Sequence, residues 1–272
     1  MNQVPTINML RAFVETPPLW QHTRFGVTQF DFPVVDLQGV RPVAFPANRR
    51  LGHKIEFLFL ECLQGQDRYE LLHHSVLIKN GVKTLGEIDF ILKDRERESL
   101  LQVELTYKFY LIDATIDDPI HQLIGPNRRD LFYHKITKIR NGQFKVPFSP
   151  PGSDVLRRLK IDSKKLVQQA CFKAQLFVPY HTISIPLGPL NQHCITGFWI
   201  PFKDFNTDAF KDYGYYLPAK EEWLLKPSDT GSWITHNELL IEVDLSIRKQ
   251  RAPMVWMKKN GSEFEKFFVV WW

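Results

Sequence analysis

The sequence predicts an α/β (α+β) fold whose core is a helix, a three-stranded antiparallel meander and a second helix, followed by a β-rich C-terminal extension. Three observations predict this fold class. Apolar residues recur every three or four positions after residue 48, an Asn-Gly pair separates two β-prone runs, and the next run alternates between apolar and polar residues. The first spacing is typical of a core-facing helix, and the alternation is typical of a strand with one buried face.

The first helix of the core is predicted from the run NRRLGHKIEFLFLECLQ. Its apolar stripe consists of Leu51, Ile55, Leu58, Phe59 and Cys62. Asn48 is a candidate N-cap, because its side chain can accept a hydrogen bond from the first turn. Gly65 is placed to end the helix, since glycine readily adopts the left-handed conformation that follows many helices.

Three strands are predicted after this helix. The runs YELLHHSVLI and VKTLGEIDFILKD flank Lys79-Asn80-Gly81, and an Asn-Gly pair between β-prone runs is a strong signal for a hairpin. The third strand is the run LLQVELTYKFYLI. Its apolar face is Leu101, Val103, Leu105, Tyr107 and Phe109, and its polar face is Gln102, Glu104, Thr106, Lys108 and Tyr110. This alternation predicts that one side of the strand is polar.

The second helix is predicted from NRRDLFYHKITKIR, with Asn127 as the capping residue. Beyond Gly142 the run PFSPPGS indicates a boundary or a linker. We therefore divide the chain into an N-terminal wrapping segment (1–46), a core (47–145) and a C-terminal extension (146–272) that packs on the core or completes it.

The C-terminal extension is predicted to be mainly β. A short helical stretch is expected near Ser163 to Ala174, and strands are expected in AQLFVPY, ITGFWIPF and EEWLLKP. The runs on either side of Asn260-Gly261 predict a final hairpin.

The composition restricts the function classes. Thirty-five Lys and Arg against 30 Asp and Glu give a net charge of +5, which permits binding to polyanions without requiring it. Cys62, Cys171 and Cys194 lie far apart, and this spacing argues against a disulfide framework and a zinc knuckle. No run approaches the roughly 18 apolar residues that span a bilayer, and the N-terminus lacks the pattern of a secretory signal. We expect a soluble cytoplasmic protein without a membrane partner; the sequence does not indicate its oligomeric state.

Asp89 and Glu104 are the candidate metal ligands. Asp89 lies towards the end of the second strand and Glu104 in the middle of the third, so pairing through the short turn places them at neighbouring positions. Two adjacent carboxylates repel unless one takes a proton or a cation joins them. A hard cation needs few such ligands besides waters and substrate phosphate. The sequence therefore predicts a site for Mg²⁺ or Mn²⁺.

Two further residues are candidates for this site. Lys108 follows Glu104 by four residues, which places it on the same face of the strand about 13 Å further along. We expect its ammonium group to stabilise charge or to orient the nucleophile. Glu56, one position past the apolar stripe of the first helix, is a candidate third carboxylate. Each of these residues also has a simpler interpretation, because most surface charges are only solvated or form weak ion pairs.

The order of these motifs resembles the PD-(D/E)XK restriction-endonuclease-like superfamily, in which an Asp on the second strand and a Glu or Asp on the third bind the metal. The runs RRLG..IE, TLGEIDFIL, VELTYKFYL, GPNRRD and WLLKP are similar to the bacterial family called domain of unknown function 1853. The similarity extends over roughly residues 47 to 235. It implies a restriction-endonuclease-like core with a catalytic set of Asp89, Glu104, Lys108 and Glu56.

The resemblance also implies supporting roles for Asn127, Asp130 and Lys135 in the second helix. The chain departs from the superfamily at one position. A lysine usually follows the acid of the third strand by two residues, and Thr106 stands there in this sequence. The lysine function would then have to come from Lys108.

These features predict a Mg²⁺-dependent nuclease that hydrolyses phosphodiester bonds in DNA, with RNA as the less favoured substrate. The alternative is a catalytically inactive nuclease-like fold that serves as a binding or interaction module, and a hydrolase of some non-nucleic phosphoester is a third class. A basic cluster is a weaker candidate for nucleic-acid contact, since charge runs are usually only solvated surface. It consists of Arg157, Arg158, Lys160, Lys164 and Lys165.

Overall fold

The computed structural model describes residues 6–37, 49–182, 184–228 and 232–272. The α-helices formed by these residues are α1 Thr6–Glu15, α2 Leu51–Leu63, α3 Pro119–Gln122, α4 Phe132–Asn141, α5 Pro150–Arg158, α6 Phe202–Phe205 and α7 His236–Arg248. The strands are β1 Thr23–Arg24, β2 Val27–Thr28, β3 Tyr69–Asn80, β4 Lys83–Asp94, β5 Ser99–Ile112, β6 Leu123–Ile124, β7 Leu166–Pro179, β8 Ile195–Pro201, β9 Gly214–Tyr216, β10 Met254–Lys258 and β11 Phe264–Val270. Short 3₁₀ segments span Gln143–Phe148, Ser163–Lys165, Gln192–Cys194, Asp208–Phe210 and Glu222–Leu224.

One mixed sheet organises the molecule. Its strand order is β3-β4-β5-β7-β8-β11-β10-β9, and β6 pairs with the end of β5. Strands β3, β4 and β5 are antiparallel neighbours, whereas β5, β7, β8 and β11 run parallel. The mixed α/β class is confirmed by this sheet and its helices. Strand β5 lies between the antiparallel and the parallel parts, and it carries the residues of the candidate site.

Helices cover both faces of the sheet around β5. On one face, Phe59 of α2 packs on Phe90 of β4, with ring centroids 4.7 Å apart. On the other face, Phe132 of α4 packs on Phe172 of β7 at 5.6 Å. The polar side of β5 is therefore covered by protein, and Glu104 there is only 2% exposed. Glu104 therefore lies on the polar face of the strand, as predicted, but this face is covered by α4 and not exposed to solvent.

Both predicted hairpins are confirmed. Strands β3 and β4 pair through Asn80 and Lys83, so the turn residues are Gly81 and Val82. Gly81 has φ +59°, a conformation that glycine adopts without steric cost. The turn thus lies one residue later than the Asn-Gly signal would place it. Strands β10 and β11 form the second hairpin, with Asn260-Gly261 between them.

Several predicted elements are wrong. The stretch near Ser163 to Ala174 is mostly strand β7, and EEWLLKP contains a 3₁₀ turn instead of a strand. Helix α4 begins at Phe132, and Asn127 does not cap it. The run PFSPPGS ends one 3₁₀ segment and begins α5, whose N-cap is Ser149. Asn48, the predicted cap of α2, lies outside the described residues; the helix begins at Leu51.

The N-terminal segment includes α1 and then crosses β7. The backbone N–H of Leu19 donates to Phe172 O, and that of Phe30 donates to Ala170 O. Lys173 of β7 donates in turn to the backbone oxygens of Val14 and Thr16. These bonds fix the segment beside the sheet. Among the helices of the described residues, none is long and apolar enough to cross a membrane.

Candidate functional site

The candidate site lies where β5 has an open edge. Strand β4 pairs with β5 as far as Phe90 opposite Val103, and β6 pairs with β5 from Leu111 onwards. Between these pairings, residues 104–110 have no strand beside them on this edge within the described part of the chain. The edge forms one wall of a cavity of about 470 Å³.

Asp89 marks the point where β4 leaves β5. The β4–β5 register, continued by one pair beyond Phe90 and Val103, sets Asp89 opposite Glu104. The Asp89 Oδ2 atom accepts a hydrogen bond of 2.9 Å from the backbone N–H of Leu105. The carboxylate therefore bonds the first peptide group of the open edge and is held beside the Glu104 position.

Glu104 is fixed by groups from α4 and from the 3₁₀ segment that follows it. The Nζ atom of Lys135 lies 3.2 Å from Glu104 Oε1. The Nε2 atom of Gln143 lies 3.5 Å from each carboxylate oxygen. The backbone oxygen of Gln143 accepts from Gln102 Nε2 at 3.2 Å, and Gln102 Oε1 accepts from Gln168. This network holds Glu104 from the face of the sheet that α4 covers.

Burial and the charge of Glu104 change the protonation of Asp89. Burial, followed by the charge of Glu104, raises the pKa of Asp89 to about 8, against the lowering effects of the Leu105 N–H and of Lys135. In the absence of a cation, the pair therefore holds a proton at neutral pH. Burial also raises the pKa of Glu56, which contributes to the field at Asp89 from helix α2. A divalent cation at this place would relieve the repulsion that favours the proton.

Asp89 and Glu104 are the residues that could hold Mg²⁺ or Mn²⁺ as a two-carboxylate site. Magnesium is commonly bound by one or two carboxylates, with waters and substrate phosphate completing the shell. The Thr106 hydroxyl, two residues beyond Glu104, is buried and has no protein hydrogen-bond partner. In the described ranges no cluster of three or more His, Cys, Asp or Glu residues forms a metal site. The chain therefore offers two candidate carboxylate ligands and, two residues beyond Glu104, the unpartnered hydroxyl of Thr106.

Lys108 and Lys135 have different partners. The Nζ atom of Lys108 lies 2.5 Å from Asp130 Oδ2. Lys108, which was predicted as a catalytic residue, therefore forms an ion pair with Asp130, which was predicted as a supporting residue. Lys135, predicted as a supporting residue, is the one that contacts Glu104. Both lysines and Asp130 line the cavity. The lysine in contact with Glu104 therefore comes from helix α4 and not from strand β5.

Asn127 holds the loop before α4. Its Oδ1 atom accepts a hydrogen bond of 2.8 Å from the backbone N–H of Ala252. The Trp272 side chain donates to the backbone oxygen of Pro126, and its ring lies under the Arg128 guanidinium at 4.6 Å. Sequence analysis missed Gln143, Ala252 and Trp272, because no local pattern shows that distant segments meet at this loop.

The basic cluster is exposed and lies outside this cavity. Arg157 and Arg158 end helix α5, and Lys164 and Lys165 precede strand β7. Leu166, which starts β7, pairs with Leu100, four residues before Glu104, which corresponds to about 13 Å along the strand. Arg157 forms an ion pair with Asp154. The cluster thus flanks the site without contacting the carboxylates.

A second cavity, of about 550 Å³, lies between α1 and the C-terminal strands. Lys266 lines it and is 3% exposed. Its ammonium donates to Gln175 Oε1 and to the backbone oxygen of Leu225, at 2.5 and 3.0 Å. Burial lowers the pKa of Lys266 to about 7. Because its acceptors are protein groups, we assign Lys266 a structural role. It holds the segment that contains Leu225, which lies between the two cavities.

Comparison with known proteins gives one match. The family model described as domain of unknown function (DUF1853) matches residues 29–270. Searches of the curated proteins and of the solved structures find no match.

Proposed function

Because the chain belongs to the DUF1853 family, whose description assigns no function, we propose a function from its own site: a divalent-metal-dependent, nuclease-like phosphodiesterase of the PD-(D/E)XK type that acts on DNA. RNA is the less favoured substrate. The observation that carries the proposal is the position of Asp89 and Glu104 on diverging strands, with Lys135 3.2 Å from Glu104. Lys135 lines a cavity together with Leu105 and Thr106, the two residues that follow Glu104.

The arrangement of elements supports this proposal. Helix α2 precedes the antiparallel strands β3, β4 and β5, and α4 follows. One acid stands on the second of these strands and one on the third, which is the arrangement that the resemblance implies. The position usually held by lysine is occupied by Thr106, and Lys135 supplies a cation from the neighbouring helix instead.

Each side chain of the site has a chemical role in the proposal. A bound Mg²⁺ would supply an activated water and neutralise charge on the phosphate. Asp89 and Glu104 would hold it, Asp89 being oriented by the Leu105 N–H and Glu104 by Gln143. Lys135 would stabilise the negative charge that develops on the phosphate, because its ammonium lies at the edge of the cavity. The burial of Glu104, which is 2% exposed, strengthens its interactions relative to water.

Purified protein tests the proposal. We expect cleavage of DNA with Mg²⁺ or Mn²⁺, and we expect Asp89→Asn to lower the rate by at least about 100-fold. Calorimetry should show Mn²⁺ binding that this substitution abolishes. Asp117→Asn, which changes an exposed acid, is the matched control and should leave both properties unchanged. The enzymatic proposal is wrong if neither DNA nor RNA is cut and no divalent cation binds.

A non-catalytic binding module is the second candidate function. It is favoured by the burial of Glu104, 2% exposed, and by its existing ion pair with Lys135. In that case the protein would bind DNA without cutting it, and Asp89→Asn would leave the affinity unchanged. A panel of phosphodiester substrates distinguishes the third class, a hydrolase of a non-nucleic phosphoester.

A further inference from the structure

We propose that the cavity beside the carboxylate pair receives one unpaired nucleotide, so that the substrate is DNA with a single-stranded end or flap. This inference rests on the proposed function, because it names the form of DNA that the same site would take. Two observations carry it: the size of the cavity and the mixture of apolar and basic groups on its walls.

Three parts of the chain line the cavity besides strand β5. Helix α2 forms one wall, the loop from Gly125 to Asp130 forms another, and a third contains Lys220 and Trp223. The open edge of β5 lies behind them. Its volume of about 470 Å³ falls in the range of sites for small molecules, roughly 300–1,000 Å³. A site of this size admits one nucleotide but not a duplex.

The walls match the two chemical parts of a nucleotide. Leu51 and Trp223 present apolar surface, whereas Lys135 and Arg129 present positive charge. The acids Glu56 and Asp130 also line the cavity, and the charge of Asp130 is balanced by its ion pair with Lys108. Binding to a phosphate backbone requires only the charges. The apolar walls suit the face of a base, and such faces are available only when the base is unpaired and unstacked. The combination therefore points to a single-stranded nucleotide next to the scissile phosphate.

The aromatic wall is held rigidly in place. The Trp223 ring packs against Phe109 and Phe268, with centroid distances of 5.5 and 5.0 Å. Its Nε1 atom donates to the backbone oxygen of Pro218 at 3.3 Å. Lys266 reaches the backbone oxygens on either side of Leu224, those of Trp223 and Leu225. The wall is thus fixed before any substrate enters, which lowers the entropy cost of binding.

Gly52 provides a selective test of the cavity. It lines the cavity, and a Cβ atom built there meets no other atom within 4 Å. Gly52→Phe would place a large side chain at the cavity without displacing the core. Gly52→Ala is the matched control, since it removes the same glycine, improves helix propensity and leaves the space open. Neither variant changes a proposed metal ligand.

The test compares a flap or 3′-overhang DNA with a closed duplex that has no ends. We expect the wild type to cut the single-stranded substrates at least about tenfold faster than the closed duplex. Gly52→Phe should lose this preference, and Gly52→Ala should keep it, while Mn²⁺ binding is the same in all three. Equal rates on both substrates, or an unchanged preference in Gly52→Phe, would overturn the inference.

A binding measurement separates this inference from the proposed function. We expect thymidine 5′-monophosphate to bind saturably, by calorimetry, to Asp89→Asn protein without a metal. Adding Gly52→Phe to that variant should abolish binding, and adding Gly52→Ala should not. Nucleotide binding by a protein whose wild type cuts neither DNA nor RNA and binds no divalent cation would retain the inference for the cavity and reject the enzymatic proposal. Cleavage of DNA without binding of the nucleotide would support the enzymatic proposal and reject the inference for the cavity.

Discussion

At the scale of single residues, the site depends on which lysine reaches the carboxylates. The Nζ atom of Lys135 lies 3.2 Å from Glu104, whereas that of Lys108 is bound to Asp130. Sequence spacing favoured Lys108, because it lies on the same strand as Glu104. A pattern within one strand carries no information on a side chain that arrives from a helix packed over it. The two lysines therefore form a matched pair for experiment.

Substitution of Lys135 should impair the reaction more than substitution of Lys108. We expect Lys135→Met to lower kcat on DNA by about 100-fold at saturating Mn²⁺, because it removes the ammonium group that contacts Glu104 and that we propose to stabilise charge on the phosphate. Lys108→Met should change kcat by about threefold or less. Lys135→Arg keeps the charge and should recover part of the rate. Equal losses in the two Met variants would contradict this assignment.

Asp89 should make the stability of the metal-free protein depend on pH. Its pKa in the folded state is raised to about 8, whereas an unfolded Asp titrates near 3.9. Between these values the folded state binds more protons than the unfolded state, so the free energy of unfolding falls as pH rises. The slope is at most on the order of 1 kcal/mol per pH unit.

Asp89→Asn should remove this pH dependence. In EDTA, urea unfolding should show the variant to be more stable than the wild type at pH 8, with the difference shrinking towards pH 4. Mn²⁺ should reduce the difference in unfolding free energy between the two proteins at pH 8, because the cation replaces the proton between the carboxylates. A difference that stays constant from pH 4 to pH 8 would mean that Asp89 does not titrate as its surroundings indicate.

At the scale of secondary structure, the strands with simple alternation were predicted well. Strand β5 was predicted from the alternation of apolar and polar residues, and both hairpins were predicted from their Asn-Gly pairs. The C-terminal part of strand β7 was predicted from AQLFVPY, but its first part was mistaken for a helix because its sequence does not alternate in polarity. Gln169, Lys173 and Gln175 are all buried in it, and Lys173 is satisfied by backbone oxygens of the N-terminal segment. Such tertiary partners are not visible in a local pattern.

Helix α7 had a signal that was overlooked. Thr235 caps it and Glu238 bonds back to the Thr235 N–H, which together form a capping box. Helix α4 shows the opposite case, since Asn127 resembled a cap but instead accepts from Ala252. A capping residue is recognised reliably only with its reciprocal partner three residues later. The open edge of β5 had no local signal, because it depends on where β4 and β6 end.

At the scale of the whole molecule, β5 is shared by two halves of the chain. It pairs with β4 on one side and, from Leu100 to Leu111, with β7 on the other. The core around α2 also includes residues from far along the chain, among them Phe177, Trp256 and Phe268. The two carboxylates were predicted from one segment, but their support includes groups that follow residue 145, such as Gln168 and Ala252.

A fragment of residues 47–145 should therefore fail to fold, although it contains every proposed catalytic side chain. Removing β7 leaves the edge of β5 from Leu100 to Leu111 without its parallel partner and exposes apolar core residues of β5 to water, which is strongly unfavourable. It also removes Phe172 from beneath α4 and Phe177 from the core around α2. We expect the fragment to show no cooperative thermal transition by circular dichroism and to bind no Mn²⁺. The full chain, measured in the same buffer, should unfold cooperatively and bind Mn²⁺. A cooperative transition in the fragment would show that the helix and three-strand unit is an independent domain, and the site would then not need the second half of the sheet.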